Sequence, residues 1–160
     1  MKPHQDREYA SSVTLMVLGE GLDPDRVSAE LHLEPSQYWR KGERSVRFRG
    51  GTTRLRKSVH EWGGWKLFVA AEHKDECLEE QLEFWIYLLR SRIAGLRQLR
   101  LVGLKCALDV LVLSSETASI VLSNQLQKEV AALGLEMRIS FWASPESDQA
   151  AAGDAGNPGV

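Results

Sequence analysis

Cysteine is scarce in this chain of 160 residues: there are two, Cys77 and Cys106. They fall on different expected elements and match no zinc or redox spacing, which excludes a disulfide framework and a Cys-x-x-Cys centre. Two thiols used as small buried apolar groups suit a reducing compartment, so the expected location is the cytoplasm. Histidine is nearly as rare, with His4, His32, His60 and His73, no two spaced as ligands on one helix face. No apolar run approaches the roughly 20 residues that span a bilayer. The opening Met-Lys-Pro-His-Gln-Asp-Arg-Glu is polar rather than leader-like. Net charge is only -2, so no global field draws in nucleic acid or an anionic membrane. Gly-x-Ser-x-Gly, P-loop and Gly-x-Gly-x-x-Gly motifs are missing as well. The expectation is a protein without cofactor or metal that leans away from catalysis, although catalytic residues far apart in sequence would escape such a search.

What is present is an ordinary globular composition, 43% hydrophobic and 26% charged. It suits one domain over residues 9–143, between a polar stub at 1–8 and a tail at 144–160. The tail holds small and polar residues and is expected to be disordered. Tyr9 to Gly19 is rich in β-branched residues and reads as a core strand covered on both faces. Asp23 then caps a helix with Pro24 at its first position and Leu22 and Val27 placed as a hydrophobic staple, ending near His32. Ser45–Phe48 and Thr52–Lys57 read as a hairpin around Gly50-Gly51. Trp65–Ala71 reads as a strand. From Asp75 to about Arg100 the spacing of Leu78, Leu82, Trp85, Leu89, Ile93, Leu96 and Leu99 predicts one long helix. Acids crowd its start and arginines its end, complementing the helix dipole. Phe84 to Leu89 is apolar all round, so this stretch is either wrapped by the domain or faces a second copy through Phe84 and Tyr87. Leu104–Leu113 is a further strand, Thr117–Leu122 is extended, and a helix capped by Ser123 stops at Gly134. Leu135–Trp142 closes the domain as a last strand. The alternation predicts an α+β sandwich of ferredoxin-like kind, two βαβ-type halves joined by the long helix, with the basic hairpin inserted.

One segment departs from this ordinary pattern. Arg40, Lys41, Arg44, Arg47, Arg49, Arg54, Arg56 and Lys57 crowd between positions 40 and 57 against one acid, Glu43. Tyr38, Trp39, Phe48, Trp62 and Trp65 are interleaved with them. Trp39, Arg40, Arg44, Arg47, Arg49, Arg54, Arg56 and Trp62 are therefore the candidate binding residues. In a hairpin Arg47 and Arg49 share a face, as do Arg54 and Arg56. Three readings follow: a positive ridge for an acidic partner protein, a stacking surface for single-stranded nucleic acid, or a solvated edge that blocks aggregation. The carboxylates Glu76, Glu79, Glu80 and Glu83 read as a solvated helix face.

The order of elements resembles a bacterial family known as domain of unknown function 4279. The residues that carry the resemblance are Tyr9 to Leu15, Leu22-Asp23-Pro24-Asp25, Leu31 to Ser36, Lys41-Gly42-Glu43 and Gly64-Trp65, followed by the long acidic-to-apolar helix. The resemblance spans roughly residues 8–143 and names no catalytic residues. It implies a small stand-alone bacterial protein, and by analogy of size an immunity protein that binds a toxin. The leading expectation is a non-enzymatic protein-binding module. The alternatives are a small-molecule-binding regulatory domain and, less favoured, a nucleic-acid-binding one.

Overall fold

The computed structural model describes residues 9–49, 52–114 and 118–143, with the backbone alone across 46–57. The N-terminal stub, the C-terminal tail and the Gly50-Gly51 turn expected above lie outside the described residues.

The chain runs β1 (Ala10–Gly19), α1 (Pro24–Leu31), β2 (Gln37–Trp39), β3 (Arg44–Arg49), β4 (Thr52–Val59), β5 (Gly63–Phe68), a 3-10 turn (Ala71–His73), α2 (Leu78–Arg90), α3 (Ile93–Leu101), β6 (Lys105–Ser114), α4 (Asn124–Ala132) and β7 (Glu136–Ala143). Five strands form one sheet in the order β2-β5-β1-β6-β7. β1 is antiparallel to both β5 and β6, β2 is antiparallel to β5, and β7 is parallel to β6. β3 and β4 make a separate two-stranded ribbon. The architecture is mixed α+β, as expected.

The core lies on one face of the sheet. Val13, Leu15 and Val17 of β1 pair with Val110, Leu108 and Cys106 of β6, and all six are buried. Against them pack Val27 and Leu31 of α1, Leu78, Leu82, Trp85 and Leu89 of α2, Leu96 and Leu99 of α3, and Leu126 and Val130 of α4. The expectation that β1 is covered on both faces is met along its later part, where Leu15, Met16 and Val17 are all buried. Toward the start of the strand the face away from this core is more open: Ser12 is exposed, and Thr14 is half-buried. Both expected caps form: Asp23 accepts from the Asp25 amide, and Ser123 from the Leu126 amide. Residues 118–122, expected to be extended, form no regular element.

The long helix is two helices. α2 ends at Arg90, and α3 begins after Ser91 and Arg92. Arg92 spans the break: its Nε donates to the Leu31 carbonyl at 2.8 Å and a guanidinium nitrogen donates to the Leu88 carbonyl at 2.6 Å. One side chain thereby caps the ends of two helices. The break turns α3 against α1 so closely that a Cβ on Gly95 would collide with the Glu30 carbonyl. Apolar spacing does not register a two-residue turn, and Ile93, counted in the stripe, is 39% exposed. Arg100, read as a dipole partner of its own helix, instead caps α4 by donating to the Gly134 carbonyl.

A second device joins α2 to β1. β6 pairs along β1 from Ala10 to Leu18, but β5 reaches only Thr14. The β1 backbone at Ser11–Val13 would be left open on that side. Gln81, which is fully buried, closes it: its Oε1 accepts from the Val13 amide at 2.9 Å and its Nε2 donates to the Ser11 carbonyl at 3.0 Å. One turn later, Trp85 Nε1 donates to the Val13 carbonyl at 3.1 Å. The Gln81 amide stands in for a missing strand. Gln81→Leu keeps the volume but orphans buried backbone groups. We expect a loss of about 3 kcal/mol in urea unfolding, since each orphaned group costs roughly 1–3 kcal/mol.

Candidate functional site

The base of the β3–β4 ribbon is built where β2 meets β5. Trp39 pairs with Gly64, and its indole lies so flat on that glycine that a Cβ there would collide with the ring. Trp39 Nε1 donates to the Trp62 carbonyl at 3.0 Å, and the His60 ring stacks on Trp39 at 4.9 Å. Lys66 Nζ sits 5.5 Å from the centre of the Trp39 ring, and Lys105 Nζ 5.2 Å from that of Trp62. Two tryptophans, a histidine and two lysines thus share one end of the sheet face opposite the core. Trp62 remains 45% exposed.

The ribbon itself is tied to this base by backbone. The Gly42 amide donates to the His60 carbonyl and the His60 amide to the Glu43 carbonyl, both at 2.8 Å. A carboxylate oxygen of Glu43 accepts from the Arg40 amide. The ribbon's register sets Arg47 directly opposite Arg54, Val46 opposite Leu55 and Phe48 opposite Thr53. By strand alternation positions 47, 49, 54 and 56 therefore fall on one face, with Val46, Phe48 and Leu55 on the other.

Not all of the predicted basic residues belong to that face. Arg40 turns back to α1, where its guanidinium lies 3.3 Å from Asp25 and 3.7 Å from Asp23. Lys41 pairs with Glu20, whose carboxyl it holds below the usual carboxylate range. Arg40 and Lys41 are thus committed within the fold. Arg44 is exposed at the start of β3. Trp39 and Trp62 come together, as the sequence suggested. Sequence reasoning missed Lys66, Lys105 and His60. Nothing in their own neighbourhoods marks them, because strand register brings them to the tryptophans.

Other groups offer less. His73 Nδ1 lies 2.9 Å from Glu76, and its ring packs against Phe84 at 4.5 Å. Burial pushes the nearby Cys77 thiol up, and pushes Cys106 up to about 11, so neither is a ready thiolate at neutral pH. Among the described residues no three histidine, cysteine or acidic side chains gather as metal ligands. A largely apolar cleft of about 670 Å³ lies beside Leu67, Phe68, Phe84 and Leu88. Its polar groups do not converge: Ser36, for one, accepts from the Phe68 amide. No described helix is long and apolar enough to cross a membrane.

The model of the family described as Domain of unknown function (DUF4279) matches residues 7–144. The chain belongs to this family. Comparison with curated proteins and with solved structures found no match. Some of the residues that carried the family resemblance lie around the ribbon base. Ser36 opens β2 by donating its amide to the Lys66 carbonyl, and Gly42 turns with a φ of 85°. Gly64 is the bed for Trp39, while Trp65 points the other way, fully buried, with Nε1 donating to Ser28 Oγ at 3.1 Å.

Gly64→Ala should therefore lift Trp39 off the sheet. We expect about 2 kcal/mol of destabilisation from overpacking and faster amide exchange in β3 and β4. Gly21→Ala, at a site with open space around it, should change neither.

Proposed function

We propose that the chain is a protein-binding module whose arginine-bearing ribbon docks on an acidic surface of a partner protein. The observation that carries this is the ribbon's register. Arg47 lies directly opposite Arg54, with positions 49 and 56 on the same face. Like charges opposed across strands destabilise a pair, and a two-stranded ribbon standing apart from the sheet has little margin to offset that. A partner's carboxylates placed over this face would relieve the repulsion. The tryptophan pair at the base adds large, rigid contact area beside the charge, the composition that interface hot spots favour. A toxin neutralised by this chain, as in an immunity protein, is a partner of that kind. The free cysteines support the cytoplasm as the setting.

We also read the frame as ferredoxin-like. The succession β1-α1-β2-β5-α2/α3-β6, with spatial order β2-β5-β1-β6 and every neighbour antiparallel, supports a βαββαβ unit, to which α4 and β7 add a further parallel strand. The ligand-binding reading ranks lower, since the apolar cleft lacks the convergent polar groups that fix a small molecule.

The test is capture by the tagged chain from native lysate at low salt, with and without nuclease treatment, beside the Arg47→Glu/Arg56→Glu variant. A stoichiometric acidic protein held by the parent and lost from the variant is the expected result. Retention that disappears with nuclease would point to nucleic acid instead, and an unchanged captured set would remove the ribbon from the interface.

A further inference from the structure

The sheet has two edges, and they differ in kind. One is β2, three residues long. The other is β7, eight residues from Glu136 to Ala143, parallel to β6 on its inner side. Long edge strands are normally blunted by charge, proline or a bulge. β7 contains no proline, its pairing to β6 is unbroken in register, and its only charges are Glu136 and Arg138 near its start. Beyond them stand Ile139, Phe141 and Trp142, exposed by 37%, 62% and 66%.

The two faces of β7 have different chemistry. Met137, Ile139 and Phe141 pair with the buried Leu108, Val110 and Val112, so this row lies on the helix-covered face. Glu136, Arg138, Ser140 and Trp142 lie on the opposite face.

We propose that the outer edge of β7 pairs antiparallel with β7 of a second copy, joining two sheets into one across a two-fold axis at Ile139. The argument is self-complementarity. Such a register sets Ile139 opposite its own copy and Met137 opposite Phe141, an unbroken apolar row continuing the core face. On the other face Arg138 stands opposite Ser140 and diagonal to Trp142 of the second copy, within reach of a cation–π contact. No like charges are set directly opposite: the two copies of Arg138 are diagonal neighbours across the axis, and Glu136 stands opposite Trp142. Slipping the register by one residue would set apolar side chains against the polar row, so the alternation itself selects against that arrangement. A two-fold pairing is also closed and leaves no further long edge to propagate.

This dimer differs from the one anticipated through Phe84 and Tyr87. Phe84 is half-buried within its own chain against His73 and Trp85, which leaves Tyr87 exposed without it. It also does not rest on the arginine ribbon, and the two surfaces are separable by mutation.

Sedimentation equilibrium of the full chain decides the matter. The parent should be a dimer, and Phe141→Lys, at a position already open to water, should raise the dissociation constant by about tenfold or more, equivalent to roughly 1.4 kcal/mol. Ile139→Lys, which opposes two like charges at the axis, should raise it further, with far-UV circular dichroism unchanged in both. Arg47→Glu/Arg56→Glu should leave the dimer intact. A parent that sediments as a monomer overturns the proposal. So does a dimer that survives Phe141→Lys, or one that only Tyr87→Lys disrupts.

Discussion

The frame depends on how the central strand is closed where its neighbour stops. β1 is the middle of the sheet, yet β5 leaves it at Thr14 and turns away into the segment before α2. An open, buried strand edge at that point would cost several unmade hydrogen bonds. The side chains of Gln81 and Trp85, one turn apart on α2, supply them. The same residues fix the depth and rotation of α2 on the sheet. Gln81 also donates to the Glu76 carbonyl, tying the entry of α2 to the strand that the helix covers. The arginines then extend this scheme to the remaining helices: Arg92 holds the ends of α1 and α2, and Arg100 holds the end of α4.

Against this frame the basic segment sorts into two kinds of charge. Arg40 and Lys41 are answered by Asp23, Asp25 and Glu20, so they brace the junction between β1, α1 and the ribbon. Exposed ion pairs of this sort add little stability each, and their value here is positional. The ribbon arginines have the opposite arrangement, with Arg47 set across from Arg54. The charges at the base are thus neutralised within the chain, while those further out are juxtaposed in register.

Much of the fold was legible because local chemistry specified it. Asp23-Pro24 and Ser123 marked helix starts, and β-branched runs marked β1 and β6. What escaped was non-local. The break after Arg90 is held by Arg92 reaching across to Leu31, and no periodicity reports that. β2 is only three residues and exists because Ser36 and Trp39 meet β5. Nothing in the neighbourhood of Gln81 marks it as the buried amide that completes the sheet. At the site, the tryptophans and arginines could be named from composition alone. The fate of Arg40 depended on acids 15 and 17 positions earlier, and the lysines over the tryptophan rings depended on strand register.

The central claim is that the ribbon is an appendage for binding, carried by a frame that holds itself together. Excising it tests this directly, since Glu43 and His60 already meet through a backbone hydrogen bond and can be joined by a short glycine turn. The measurement is thermal unfolding of the shortened chain, followed by circular dichroism. The frame should unfold in one cooperative transition with a midpoint close to that of the parent. Loss of the cooperative transition would show that the ribbon is part of the core assembly, and its arginines would then need a structural explanation.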